Sequence, residues 1–465
     1  MLKIALPILF LLLTSSSIAS LTNIDVINEK VQSVQKLYGV SAVSVLLVNK
    51  DEVLLNLHSG IRDWDTNAPF TEQDMFRIGS ISKSFAGILA LRLQQQGLID
   101  LNAPISDYGL APYLDNTFPT HTITLAQLLE HTAGLSDLAR TEWDYNDPKP
   151  ISLKEAFDLK LGKHVTQWAP GMHSSYTNVG PGLFGLALEL KLGQSYEALM
   201  QKHVFKPLKM NISSLLLSDE IAKHLIKGYD RDGKKPIKYW HNIYRPFAAI
   251  NTNNHDMTLW LQMLLNPSDT FLNSADRKRL VEPKTTLSGQ DGLEYGYGLG
   301  VYQWQTNGHS FYGHGGDADG YLTRFGFNHE SGLAYFVMIN AFNKRPLNEL
   351  VNLIERQIVF ELSKPTYPLR LELSDKNTEA YQGEYIQVTS RFRKLNPASA
   401  KRLTVKYRNG QLMYQLNQGR EVVIHKVRGN QFRNSNQSVA TMAFINRQGQ
   451  LYFQGDIGNF VKVIK

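Results

Sequence analysis

Cysteine is absent from the 465-residue chain. That excludes a disulfide framework, a thiolate nucleophile and any Cys-ligated zinc or iron–sulfur cluster. After residue 20 no window approaches the roughly 18 consecutive apolar residues of a membrane helix. There is no His-Glu-x-x-His, no P-loop, no dinucleotide fingerprint and no Gly-x-Ser-x-Gly elbow. Zincin, nucleotide-binding and α/β-hydrolase chemistries therefore lack their usual carriers. Asp230-Arg231-Asp232-Gly233 and Asp317-Ala318-Asp319-Gly320 lack the downstream Glu of a calcium loop and read as turns. No internal repeat or low-complexity tract occurs, so solenoid and collagen-like architectures are excluded as well.

What is present builds a large globular protein. Apolar residues make up 43% of the chain, including 21 Phe and 21 Tyr, enough for a sizeable core. At about 150 residues per domain, two domains are expected, or three. Residues 1–20 read as a signal peptide: a basic start at Lys3, an apolar run from Ile4 to Thr14, then small residues from Ser15 to Ser20. Export to the periplasm or beyond is the expectation, with no transmembrane anchor left after signal cleavage.

From residue 21 to 363 the pattern is mixed. Val26 to Tyr38 has helical periodicity, and Ser41–Val48 with Val53–His58 reads as a β-hairpin. Helices are expected over Ser80–Gln96, Leu125–Glu130, Pro181–Leu192, Met257–Leu265 and Leu347–Leu362. Strands return at Tyr297–Trp304, Tyr321–Asn328 and Leu333–Asn340. Strands at both ends of the segment predict an α/β (α+β) fold: one antiparallel sheet flanked by helices, plus a helical lobe. After Lys364-Pro365, turn signals such as Arg408-Asn409-Gly410 recur between alternating strands. Residues 366–465 are thus expected to be a separate small all-β barrel or sandwich. This module carries 16 Lys+Arg against 6 Asp+Glu, a net +10; with the whole chain at +7, the preceding residues sum to −3. Its dense cluster, Arg391-Phe392-Arg393-Lys394, reads as a solvated loop, with contact to an anionic envelope polymer as the alternative.

The chemistry concentrates in three short stretches. Ser80-Ile81-Ser82-Lys83 places a hydroxyl and an amine three apart in the first turn of a helix, on one face. Burial would strip Lys83 of part of its proton affinity and make it a base for Ser80. A second Ser-x-x-Lys, Ser33 to Lys36, lies inside an amphipathic helix and reads as solvated surface. Tyr176-Thr177-Asn178 lies on a loop before a helix, where a phenol can relay a proton and an amide can orient Lys83. His314-Gly315-Gly316-Asp317 sits between two late strands, where glycines allow close backbone approach. A free imidazole at His314, with an ordinary pKa of about 6.5, would offer charge to a substrate carboxylate only on the acidic side.

The order Ser-x-x-Lys, Tyr-x-Asn, His-x-Gly resembles the serine β-lactamase and penicillin-binding-protein-like superfamily, in its class C-like branch. Thr124 to Leu135, Tyr295 to Gly300 and Phe247 to Leu264 match as well, so the resemblance spans about residues 25–360. It implies Ser80 as the acylated nucleophile, activated by Lys83 and Tyr176. Asn178 would orient Lys83 and substrate, and His314, Gly316 and Asp317 would line the third wall. The backbone N–H groups of Ser80 and Asp317 would form the oxyanion hole. No cofactor and no metal are implied. True class C β-lactamases carry Lys-Thr-Gly or Lys-Ser-Gly where this chain has His314-Gly315-Gly316, a replacement usual in the esterases and peptidases of the family. His131 matches a family segment and reads as structural.

The expected substrate is a small molecule or peptide, with the cell wall as one source, cleaved through an acyl-enzyme as a small peptide, ester or amide. β-Lactamase or D-Ala-D-Ala carboxypeptidase activity is the first alternative. A non-catalytic envelope-binding protein is the second. Nucleic acid is not an expected partner.

Overall fold

The computed structural model describes residues 23–147, 149–266, 271–360, 362–392 and 395–464. The expected signal peptide and the basic pair Arg393-Lys394 lie outside the described residues.

Seven antiparallel strands form the central sheet in the order Ala68–Pro69, Val53–Asp63, Ala42–Asn49, Leu333–Ile339, Tyr321–Asn328, His309–Ala318, Tyr302–Thr306. The N-terminal hairpin joins the late strands through the pairing of Val43 with Ile339 and Val45 with Val337, as the pattern at the two chain ends predicted. Side chains alternate across the central strands. Val43, Val45 and Leu47 point to one face with Val337 and Ile339, where the helices Ile24–Tyr38 and Lys344–Phe360 cover them. The second of these helices presents Leu347, Leu350, Ile354 and Ile358 at the 3–4-residue spacing of one face. Each such buried side chain contributes roughly 1.5–3 kcal/mol.

Leu46, Val48, Phe336 and Met338 point to the other face, into the larger core. At its centre runs the helix Ser82–Gln95, buried on nearly all sides through its first three turns. Phe85 stacks on Trp260 of the helix Asn254–Leu265. A helix buried all round has no polar face to keep wet, so its residues Phe85 to Leu91 are almost wholly apolar.

Two sequence expectations need correction. Ser80 is not inside the α-helix but in a 3₁₀ turn, Gly79–Ile81, that precedes it. Gly79 takes φ +53°, which a regular helix does not allow. The His314–Asp317 stretch is not a connection between strands; it lies within the strand His309–Ala318. Three glycines, at 313, 315 and 316, mask a strand whose register is set by its neighbours.

Eight further strands between Gly383 and Lys462 close into a barrel. Tyr385, Leu403, Leu412, Phe432, Phe444, Phe453 and Phe460 fill it. The hairpin turn at Asn409-Gly410 has both residues at positive φ, the turn that matches the twist of flanking strands. The barrel does not stand apart. Ala443 and Ile445 pack on Leu287 and Leu293 of the preceding domain, and Arg428 donates to the Gly292 carbonyl at 2.9 Å.

Candidate active site

Ser80 and Lys83 come from one stretch of the chain, Tyr176 and Asn178 from another, and the four meet at one point. Lys83 Nζ lies 3.0 Å from Ser80 Oγ, 2.7 Å from Asn178 Oδ1 and 2.9 Å from the Phe247 carbonyl oxygen. Two acceptors and one hydroxyl around a nitrogen suit a neutral amine. Two N–H groups reach Asn178 and Phe247, and the lone pair faces the serine O–H. Burial pushes the Lys83 amine well below its ordinary pKa; the Asp137 carboxylate works against that shift, Arg391 with it and Asp317 against it. The base state is therefore accessible. Ser82, by contrast, is buried, and its Oγ accepts from the Ile250 N–H at 3.2 Å. Ser33 and Lys36 are exposed on the N-terminal helix.

Tyr176 faces the Ser80 side chain, whose hydroxyl is near enough to favour the phenolate slightly. Its ring lies 4.8 Å from Lys83 Nζ. Burial raises the phenol far above its ordinary value, more than the Ser80 hydroxyl and the Arg391 charge lower it. Tyr176 is thus held as a proton donor. Its loop is fixed from below by His131, whose backbone takes the left-handed φ of +60°. His131 Nδ1 accepts from the Thr177 N–H at 3.3 Å, and its ring packs 4.5 Å from Tyr176. Burial keeps this imidazole neutral, its pKa pushed well down.

The third wall is the strand carrying His314, Gly316 and Asp317. Its outer neighbour pairs with it only between His309 and Gly313, leaving residues 314–318 with one open edge. Thr306 and His309 close the two-residue turn Asn307-Gly308 as a hydrogen-bonded pair, so the N–H groups of His309, Phe311, Gly313 and Gly315 all point to that side. Backbone groups two apart on a strand share a side, so the Asp317 N–H points to the same edge. There the Ser80 turn abuts the strand. A β-carbon on Gly316 would stand 1.9 Å from the Ile78 carbonyl oxygen. The Ser80 N–H belongs to the first turn of the 3₁₀ segment, where backbone donors lack intrahelical partners. The Ser80 and Asp317 amides thus lie on the side where the Ser80 turn meets the strand, a pair that could bind an oxyanion.

His314 departs from its expected part. It is buried, and both ring nitrogens are engaged: Nδ1 with the Gly315 carbonyl and Nε2 with the Tyr297 hydroxyl at 2.8 Å. A carbonyl can only accept, so Nδ1 carries the proton and Nε2 accepts from Tyr297. Burial drives its pKa down to about 3, and an ammonium at Lys83 would push the same way. The acid-side charge expected of a free imidazole is absent at working pH. His314 is a neutral wall residue.

Sequence reasoning missed four contributors. Asp137 accepts from the Asn178 N–H at 2.6 Å and lies near Asn178 Nδ2 at 3.4 Å; it follows the Thr124–Leu135 stretch by two residues. Tyr297 lies within the Tyr295–Gly300 stretch, but its partner shows only in three dimensions. The Phe247 carbonyl has no side-chain signature. Arg391 belongs to the cluster read as a solvated loop, yet Nε donates to Asp137 at 2.7 Å and the guanidinium lies over the Tyr176 ring at 4.7 Å. Other barrel residues grip the same loop from below. Gln454 Nε2 donates to the Met172 carbonyl at 2.7 Å and to His173 Nδ1 at 2.9 Å, and Asn459 Nδ2 to the Ser174 carbonyl at 2.8 Å. The module expected to be separate therefore touches the site directly.

A helix-flanked antiparallel sheet with a nucleophile turn, a buried lysine and a Tyr-x-Asn loop at this spacing defines the active-site-serine class built on the β-lactamase and penicillin-binding-protein fold. The family model described as Beta-lactamase matches residues 27–358, and the chain belongs to that family. Protein flp of Staphylococcus aureus (strain MW2) is 28% identical over 328 residues, 69% of this chain and 63% of that protein. A Beta-lactamase of Yersinia enterocolitica is 27% identical over 251 residues, 53% of this chain and 61% of its own length. The chain thus spans less than two thirds of either relative. Among solved structures, the octameric penicillin-binding protein homologue from Pyrococcus abyssi aligns with TM-score 0.63 at 18% identity, over 95% of this chain and 100% of that one. That share is too large to leave out the barrel. The Beta-lactamase/D-alanine carboxypeptidase from Yersinia pestis aligns with TM-score 0.59 at 19% identity, over 73% of this chain and 100% of its own. At these identities the structural likeness concerns the fold.

Proposed function

We propose that the protein is an exported serine hydrolase that forms an acyl-enzyme on Ser80 with small peptides, esters or amides. The observation that carries this reading is the 3.0 Å approach of the buried Lys83 amine to Ser80 Oγ. Lys83 takes the serine proton as the hydroxyl attacks a carbonyl. The developing oxyanion meets the Ser80 and Asp317 amides, and the protonated Tyr176 donates to the leaving group. Water then reverses the sequence. Export rests on the character of residues 1–20. Among the described residues no helix is long and apolar enough to cross a membrane.

β-Lactamase or penicillin-binding carboxypeptidase activity is the second reading, favoured by the names of the relatives. The neutral His314 counts against it, because the third wall then offers no cation to a penicillin carboxylate. The test is the mass of the intact protein after incubation with a fluorophosphonate and, separately, with a penicillin. A fluorophosphonate adduct on Ser80 without a stable penicillin adduct or β-lactam turnover supports the first reading. A penicilloyl adduct or rapid turnover supports the second, and no adduct with either reagent overturns both.

A further inference from the structure

The barrel reaches the catalytic centre through a crossed pair of contacts. The Asp137 N–H donates to the Arg391 carbonyl at 2.6 Å, and Arg391 Nε donates back to Asp137 Oδ2 at 2.7 Å. The Asp137 side chain is fully buried, whereas that of Arg391 is 41% exposed. Asp137 Oδ1 accepts from the N–H groups of Asn178 at 2.6 Å and of Leu138 at 2.9 Å. Asn178 Oδ1 in turn accepts from Lys83 at 2.7 Å. A continuous path of polar contacts thus runs from a barrel loop to the amine beside the nucleophile. Arg391 and Lys83 also share one ring: the guanidinium and the amine lie 4.7 Å and 4.8 Å from the centre of Tyr176.

Building on the reading of Ser80 as the acylated nucleophile, we propose that Arg391 is a positioning residue of the catalytic centre, supplied by the barrel. It neutralises the buried Asp137 and thereby keeps Asn178 oriented and Lys83 free to act as a base. The physical argument is charge balance. A carboxylate removed from water needs a partner, and Arg391 is the cation in contact with it. The charged and titratable groups facing Lys83 are Asp137 and Asp317, which favour its ammonium form, and Arg391, which opposes it. Neutral Tyr176, His131 and His314 complete the surroundings. Without the guanidinium, Asp137 would be left to hold the proton on Lys83, and an ammonium cannot take a proton from Ser80.

The experiment uses the full-length chain and a small neutral ester, with kcat and KM followed from about pH 5 to 10 in the native protein, Arg391→Gln and Arg391→Lys. Fluorophosphonate labelling of the native protein, lost in Ser80→Ala, is measured alongside. Arg391→Gln should move the acid limb of kcat/KM up by about one pH unit, with about a tenfold fall in kcat below the limb and little change in KM. Arg391→Lys retains the charge and should leave the limb close to its native position. An unmoved limb in Arg391→Gln, a uniform loss of rate at every pH, or equal displacement in both variants overturns the proposal while Ser80 labelling stands. A native protein that is not labelled on Ser80 overturns the underlying reading as well, and is thereby told apart.

Discussion

Gly79 and Asp317 meet backbone to backbone: a β-carbon on Gly79 would stand 2.6 Å from the Asp317 carbonyl oxygen and 2.8 Å from its nitrogen. Gly316 faces Ile78 just as closely from the other side. The distance between nucleophile and oxyanion amide is therefore set by two absent side chains, one on the Ser80 turn and one on the strand. Gly316→Ala should force the two apart. We expect a loss of about 1–3 kcal/mol in stability and at least tenfold slower labelling of Ser80. Gly332→Ala is the control. It has positive φ but open space around it, so it should lower the melting temperature slightly and leave labelling alone.

Ser80→Ala should keep its unfolding free energy within about 0.5 kcal/mol of native and lose all labelling by a serine-directed probe. Mapping the adduct in the native protein should place it on Ser80. An adduct on buried Ser82 or on exposed Ser33 would contradict the site as described.

The neutral state of His314 has two consequences, one for substrates and one for stability. Because its pKa lies at about 3, KM values of a matched carboxylate and neutral substrate pair should run parallel from about pH 5.5 to 8. A KM that rises with pH for the acid alone would restore a charged His314. For stability, the imidazole takes up a proton near pH 6.5 when unfolded but only near pH 3 when folded. Between those values the unfolded state binds more protons, so stability falls as pH drops through that window. His173, lowered to about 4 by burial, adds to the same trend. Thermal melts at steps from pH 7 to 4 should show the decline, and His314→Asn should make it shallower.

Gln454→Ala removes donors to Met172 and His173 and the acceptor for the Ser288 N–H. A cost of about 1–3 kcal/mol is expected from the buried groups left unpaired, together with slower Ser80 labelling as the Tyr176 loop loosens. Truncation at residue 363 should reduce labelling much further. Full labelling of a folded truncation would mean that the barrel contacts are dispensable for the site.

Much of the catalytic domain was legible because its signals are local. The i to i+3 spacing of Ser80 and Lys83 needs only a helical turn, and the alternation of Val43, Val45 and Leu47 needs only a two-sided sheet. The strand at His309–Ala318 was hidden because glycine carries no side chain to display a period. The charge of His314 was misjudged because burial belongs to the folded assembly, not to the residue. Arg391 was misassigned for a related reason. Its partner Asp137 is 254 positions away, and within its own cluster nothing distinguishes a solvated arginine from a paired one.

The contact between Asn459 and Ser174 bridges 285 positions of chain. A ribosome delivers residue 174 long before residue 459, so the loop bearing Tyr176 emerges with part of its scaffold still unmade. Leu287 and Leu293 likewise wait in water for Ala443 and Ile445. We therefore expect serine-probe labelling of Ser80 in a growing chain to appear only after residues 443–459 have been made and have joined the fold.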